Sequence, residues 1–339
     1  MTKTVELRSD SHTRPTPAMR EAMAQAVVGD DGFGEDPTVI EIEELYAHMV
    51  GKPAAVFVPS GVMANQVALR VLTRPGDAVV SGSYSHIYRY EYGAAARNAS
   101  VQFAPVDDPG GVLNVDDVLR VIDSERDHQP HVSLVTVENT HMATGGAPYP
   151  ISDLRALAAA VDRPIHLDGA RLFNAVVATG TSAADYAACA TSVSSCLTKG
   201  LGAPVGSLLA GSSEFIASAR LERKRLGGTM HQSGVVAAAG AVALTTMVDR
   251  LAEDHARARR LAKCFAAALP EANYDPESCQ TNIVAFEHPE ARRVVADLIE
   301  RGVLGDTIAP TRARYVTHAD LTDEDLDYVA EVLASYRLN

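Results

Sequence analysis

Short apolar runs, each closed by a turn and most followed by a helical stretch, recur through the first two thirds of the chain. "AAVFVPSG" (54–61) reads as a strand ending in a turn, with a helix from about 62 to 72. "DAVVSG" (77–82) and "SVQFAPVD" (100–107) are the next strands. "HVSLVTVEN" (131–139) comes before a helix near 152–161, and "RPIHLDG" (163–169) and "SVSSCLT" (192–198) follow. Strand-then-helix repetition predicts a mainly parallel sheet covered on both faces, an α/β fold.

The pattern changes after a long helical zone at about 214–268. "TNIVAFEH", the helical "EARRVVADLIERG", "ARYVTHAD" and a closing helix capped by Thr322 read as a compact α+β unit. This places a soft boundary near 250, with a large unit over 1–250 and a smaller one over 251–339. "VVAAAGAVALTTMV" (235–248) is apolar all round and predicts a buried helix. It falls short of the roughly 18 apolar residues that a membrane-spanning helix needs.

The net charge of −13, from 43 acidic against 30 basic residues, argues against nucleic acid or an anionic membrane as partner. The four cysteines, Cys189, Cys196, Cys264 and Cys279, form no CxxC pair. With no apolar signal core in "MTKTVELRSD", a reduced, cytoplasmic setting is expected.

"SSCLTKGLGAPVGS" (194–207) sets one long cation, Lys199, between an apolar strand and a turn rich in glycine and proline. Glycines there let other groups approach the backbone closely. An amine taken out of water loses its proton more readily and becomes a nucleophile suited to a Schiff base, the requirement of an enzyme that uses pyridoxal phosphate. Such a cofactor needs an acidic partner for its ring nitrogen. Asp168 in "HLDGAR" closes a strand, and in a doubly wound sheet it would face the same crevice as Lys199. Arg171 would hold a carboxylate or the ring oxygen. A phosphate needs a helix N-terminus, which "PSGVMAN" supplies through Ser60, Gly61 and Val62. Neither GxxxxGK[ST] nor an early GxGxxG is present. His86 and His141 each follow a strand, where an imidazole stacks on a ring or takes a proton near pH 7. The His128–His131 pair lies in a polar loop, and no metal site is expected there.

In these stretches the chain resembles the L-threonine aldolases, the β-eliminating lyase group of fold-type I pyridoxal-phosphate enzymes. The likeness runs from "LRSDSHTRPTPAMREAM" and "GDDGFGEDPTV" through "VFVPSGVMANQVAL", "ENTH", "HLDGARLFNA" and "CLTKGLGAPVGS" to "GGTMHQSG" and "YVTHAD". It implies an aspartate-aminotransferase-like large domain with a smaller C-terminal α+β domain. The implied reaction cleaves a β-hydroxy-α-amino acid, such as L-threonine or L-allo-threonine, to glycine and an aldehyde. Lys199 would bind the cofactor, Asp168 would pair with its ring nitrogen, and Gly61 with its neighbours would cup the phosphate. His86 would stack on the ring and act as base, and His141 would assist near the substrate hydroxyl. Ser9, Arg171 and Arg314 would hold the substrate carboxylate. A homotetramer built from dimers is implied.

The chain departs from the family pattern at several places. His12 stands where valine is expected, Val62 for threonine, His231 for arginine and Phe33 for tyrosine, with Met142 after "ENTH". His12 is expected to line the site and alter substrate choice, or else to point into a subunit interface. His231 and Val62 are expected to weaken phosphate anchoring. Racemisation, β-elimination or transaldol chemistry on the same residues stays open, as does a non-catalytic cofactor-binding protein.

Overall fold

The computed structural model describes residues 3–124 and 128–338. Its strands are β1 (Val5–Glu6), β2 (Ala54–Val58), β3 (Ala78–Gly82), β4 (Gln102–Val106), β5 (Val132–Glu138), β6 (Ile165–Asp168), β7 (Ser192–Cys196), β8 (Ser207–Gly211), β9 (Ile283–Glu287), β10 (Val303–Leu304), β11 (Asp306–Ala309) and β12 (Arg312–Val316). Seven of them form one sheet in the order β2-β8-β7-β6-β5-β3-β4. Strands β3 to β7 pair in parallel, as the alternation predicts, while β8 runs antiparallel to both β2 and β7. The sequence reading missed β8 as a strand. Only a single 3-10 turn, Lys199–Leu201, separates it from β7 before the chain turns back through the glycine-rich stretch.

From β3 the chain steps to one side for β4 and to the other for β5. That reversal opens a crevice at the carboxyl ends of the strands, the place where open α/β sheets bind ligands. Register fixes which residues meet there: Glu138 pairs with Asp168, and Asp168 with Ser194.

The apolar stretch at 235–248 forms a helix over Gly234–Val242 that continues through Ala243–Met247. Its Ala237, Ala239 and Gly240 face are buried, and it packs on the helices Pro17–Gln25 and Pro37–Met49. Gly240 lets the helix pack closely: a Cβ there would lie 2.6 Å from the terminal methyls of both Ile42 and Leu197, which would have to move. Among the described residues, no single helix is long and apolar enough to cross a membrane. All four cysteines are free thiols.

A second core gathers Phe265, Phe286, Tyr315, Leu326 and Tyr336 around the antiparallel sheet β11-β12-β9. The Thr322 cap is present, with Asp325 completing a capping box. The helix Leu251–Ala268 joins the two units: Leu251 lies in the first core, Ala258 and Phe265 in the second. A boundary near 250 therefore falls at the start of a continuous helix. The first residues also cross it, because β1 pairs in parallel with β10 and Val5 and Leu7 are buried in the second core. Two residues of strand are too short for hydrophobic alternation to reveal.

Candidate active site

Lys199 opens the turn after β7 and sits at φ +61°, in the left-handed region that a lysine rarely adopts. Two hydrogen bonds to its carbonyl hold it there, from the Thr13 hydroxyl at 2.8 Å and the Gly202 amide at 3.0 Å. A backbone conformation of this kind costs about 1–3 kcal/mol and persists where the surroundings enforce it. The turn directs Lys199 into a cavity of about 280 Å³ that also contains Ser60, Gly61, Val62, His86, Glu91 and Asp168.

Asp168 ends β6 on the floor of that cavity and is buried. Its Oδ1 accepts from the Ala170 amide at 3.1 Å and its Oδ2 from Asn65 Nδ2 at 2.8 Å. On the facing wall the helix Gly61–Leu72 begins, with the Ser60 hydroxyl accepting from the Met63 amide at 3.2 Å. The amides of Gly61 and Val62 thus open the helix at the cavity wall, with the positive end of its dipole behind them. Gly61 allows a close approach of the helix to β7, since a Cβ there would lie 2.7 Å from Cys196 Sγ.

His86 starts the short helix His86–Arg89 after β3. Its backbone amide donates to Glu138 Oε2 at 2.7 Å, and its Nδ1 lies 3.3 Å from Glu91 Oε1. Burial works against the charged ring. The Glu91 hydrogen bond and the charges of Asp168 and Glu138 outweigh it and hold the pKa above the ordinary imidazole value.

An amine, an acid on the cavity floor, a helix N-terminus and an imidazole converge on one space. That donor set fits pyridoxal phosphate: an aldehyde to bind Lys199, a ring nitrogen for Asp168 and a dianion for the Gly61–Val62 amides. A larger groove of about 500 Å³ lies beside Cys264, Ala268 and Leu333 in the second unit, but brings no such set together.

The family model for β-eliminating lyases matches residues 6–289. The chain belongs to the β-eliminating lyase family. It is 40% identical to the low specificity L-threonine aldolase of Escherichia coli O157:H7, over 98% of each chain. It is 37% identical to low-specificity L-threonine aldolase 1 of Arabidopsis thaliana, over 96% of this chain and 94% of that one. The solved structure of Leishmania major threonine aldolase shares the fold at a TM-score of 0.82, with 21% identity over 96% of this chain and 98% of that one.

Several residues expected at the site of this lyase lie elsewhere in the described protein. His141 does not line the cavity. Its side chain is 3% exposed, with Nε2 3.0 Å from Asp108 Oδ2 and Nδ1 3.1 Å from Thr144 Oγ1. Burial opposes its charge, but Glu138 and Asp108 hold its pKa up. Ser9 uses its hydroxyl to cap the turn Asp10–His12, accepting from the Ser11 amide at 3.2 Å. His12 lies in a separate groove with Glu6, Arg14, His318 and Asp320, its Nδ1 3.9 Å from Glu6 Oε2. His231 is exposed and pairs with Asp30 at 2.9 Å instead of reaching the Gly61 helix of its own chain. Phe33 is 81% exposed, and Val62 is on the cavity wall.

Neither Arg171 nor Arg314 is among the residues lining the cavity. Arg171 is buried and spends two of its three nitrogens on Asp10. Arg314 donates to the Arg8 carbonyl at 3.1 Å and touches Met142 Sδ at 3.3 Å, and its buried Nε has no hydrogen-bond partner among the described residues. Burial and the nearby charge of Arg171 lower its pKa.

Sequence reasoning missed Asn65, Glu91, Glu138, His166 and Asp10. Glu138 accepts the amides of His86 and Met142, at 2.7 and 2.9 Å, and so sets two loops at the crevice. The signal was available in part: Glu138 opens "ENTH", and Asp10 lies inside "LRSDSHT".

Proposed function

We propose that this protein is a pyridoxal-phosphate-dependent aldolase that cleaves a β-hydroxy-α-amino acid to glycine and an aldehyde. The observation that carries it is the convergence of Lys199, Asp168 and the Gly61 helix start on one cavity beside His86. Its L-threonine aldolase relatives, 37–40% identical along almost the whole chain, support the same reading.

Lys199 would hold the cofactor, Asp168 its ring nitrogen, and the Gly61 and Val62 amides its phosphate. Once bound, the cofactor supplies an electron sink for a bond broken at the substrate Cα. Arg314 takes the substrate carboxylate, assisted by the one Arg171 nitrogen that Asp10 leaves. Holding the carboxylate fixes which Cα bond faces the sink. Glu91 occupies Nδ1 of His86, so Nε2 is the atom that receives the β-hydroxyl proton as the Cα–Cβ bond opens. A base placed in this way supplies about 10²–10⁴-fold in rate.

The four free thiols suit a reducing, cytoplasmic compartment. Exposed apolar side chains at Phe33 and Val62 favour burial against a second copy, in a homotetramer of dimers. Sedimentation of the purified protein tests the assembly.

The deciding experiment identifies the products from L-threonine, L-allo-threonine, phenylserine, serine and alanine. Acetaldehyde or benzaldehyde released in equal amount with glycine supports the aldolase. A keto acid with ammonia, or racemised alanine without aldehyde, replaces it with β-elimination or racemisation.

A further inference from the structure

Two acidic side chains of the cavity are held by a single amide. Asn65, in the first turns of the Gly61–Leu72 helix, donates from Nδ2 to Asp168 Oδ2 at 2.8 Å and to Glu91 Oε1 at 2.8 Å. Its Oδ1 lies 3.0 Å from His166 Nε2, and His166 Nδ1 lies 2.9 Å from the Ser192 hydroxyl. All of these side chains belong to residues at most 5% exposed, and His166 and Ser192 are fully buried.

Chemistry leaves this cluster one arrangement. Carboxylate oxygens accept, so both amide hydrogens must face Asp168 and Glu91 and the amide oxygen must face His166. His166 then carries a hydrogen on Nε2, with Nδ1 beside the Ser192 hydroxyl, which can donate to it or accept from it. Burial pushes the pKa of the ring down to about 4, which makes Nδ1 the acceptor near neutral pH. The Glu91 oxygen that Asn65 holds is the one 3.3 Å from His86 Nδ1, and Gln66 Nε2 takes the other at 2.7 Å. A ring nitrogen of His86 and one carboxylate oxygen each of Glu91 and Asp168 lie within 4.8 Å of one another. Neither acid can turn without giving up its bond to Asn65.

We propose that Asn65 is a positioning residue that ties the acid meant for the cofactor's ring nitrogen, Asp168, to the acid that holds the His86 ring, Glu91, with His166 fixing the direction of the amide. The role given to Asp168 rests on the functional reading above; the link from Asn65 through Glu91 to His86 does not. A substitution that replaces the amide hydrogens by an acceptor therefore acts on His86, two bonds away.

The test follows the His86 ring by NMR in full-length protein with ¹³C-labelled histidine, assigned with His86→Asn. The titration is run with the cofactor and again after its removal by dialysis against a carbonyl reagent. His86 faces Glu91, Asp168, Glu138 and Lys199. Asn65→Asp keeps the acceptor toward His166 and sets a third acid against the other two. The added negative charge moves the His86 midpoint up by about 1 unit or more. His166→Leu removes the N–H that orients the amide and moves the midpoint the same way. His166→Gln keeps a donor there and leaves it in place. An unmoved midpoint in both Asn65→Asp and His166→Leu overturns the proposal, as do equal shifts in His166→Leu and His166→Gln. If Asn65→Asp does not fold, the His166 pair decides. Wild-type protein that retains no pyridoxal phosphate would overturn the functional reading instead, and the cofactor-free titration would still decide on Asn65.

Discussion

Arg171 grips Asp10 through two parallel bonds, Nε to Oδ2 at 2.8 Å and Nη2 to Oδ1 at 2.7 Å, and both residues are buried. Asn282 adds a third bond to Asp10 at 3.0 Å. An arginine expected to clamp substrate is thus also the anchor of the N-terminal segment. That segment in turn holds Lys199, because Thr13 bonds the Lys199 carbonyl.

Breaking this pair is expected to be costly. Asp10→Ala leaves a buried guanidinium uncompensated, which destabilises by about 3–5 kcal/mol. Burial alone would raise the Asp10 pKa, but the charge and hydrogen bonds of Arg171, with Lys199 and Asn282, hold it well below the ordinary carboxylate range. The stabilisation is therefore complete above about pH 4, the unfolded value, and is lost as pH falls through the folded one. Urea unfolding at pH 7 and in acid checks both points. The gap between wild type and Asp10→Ala should narrow only in strong acid.

Lys199 is expected to carry the cofactor. Borohydride reduction of the purified protein, followed by peptide mapping, should place the label on Lys199 and on no other lysine. Lys199→Ala should abolish the covalent link and lower aldehyde release by about 10³-fold or more, since positioned nucleophiles supply rate terms of that order. A label elsewhere, or an unlabelled protein with full activity, refutes the assignment.

The pH dependence should report His86. Its pKa is held above the ordinary value against the effect of burial, chiefly by Glu91. As a base it must first lose that proton, so kcat/KM should fall on the acid side with a midpoint above about 6.5. Glu91→Gln removes the anion and leaves burial in charge, which moves the midpoint down by about 1 unit or more. The stability that the pair contributes has the opposite profile: present below the unfolded imidazole value, and lost as pH rises through the folded one. A pH–rate series on both proteins checks the direction. An upward shift, or none, removes His86 as the base.

Much of the frame was legible because apolar runs and their turns report strands one at a time. The strand ends that carry His86, Glu138 and Asp168, and the Gly61 helix start, follow from that alone. The antiparallel β8 did not, since a run of five buried residues has no mark of direction. The N-terminal pairing of β1 with β10 escaped for a related reason: two residues hold no period. Lys199 and Asp168 could be read singly because each sits at a strand end beside glycine. Asn65, Glu91 and His166 could not, because their meaning lies in mutual distances across a helix, a loop and a strand. His12 and His141 show the converse. Their places in the chain suggested the site, but His12 lies in a separate groove and Asp108 holds the His141 ring.

Arg314 is expected to separate binding from stability. Most buried arginines are matched by an acid, and removing one costs the fold. Among the described residues Arg314 has a sulfur contact to Met142, the Arg8 carbonyl and a long 3.6 Å ion pair with the half-exposed Asp306. Its buried Nε has no hydrogen-bond partner among those residues, and the like charge of Arg171 presses on it. A cation kept in that state is poorly compensated until an anion arrives. Arg314→Gln should change the melting temperature little, because the partners it loses are a sulfur, a carbonyl and one distant, half-exposed carboxylate. The substrate carboxylate then loses one charge-assisted hydrogen bond, worth about 1.5–3 kcal/mol. That corresponds to a KM for amino-acid substrates raised by about 10- to 100-fold. Arg314→Lys restores the charge without the fork and should recover part of the KM. Thermal melts and steady-state kinetics on the two variants decide it: a large drop in melting temperature with an unchanged KM would make Arg314 a structural residue and leave the carboxylate to Arg171.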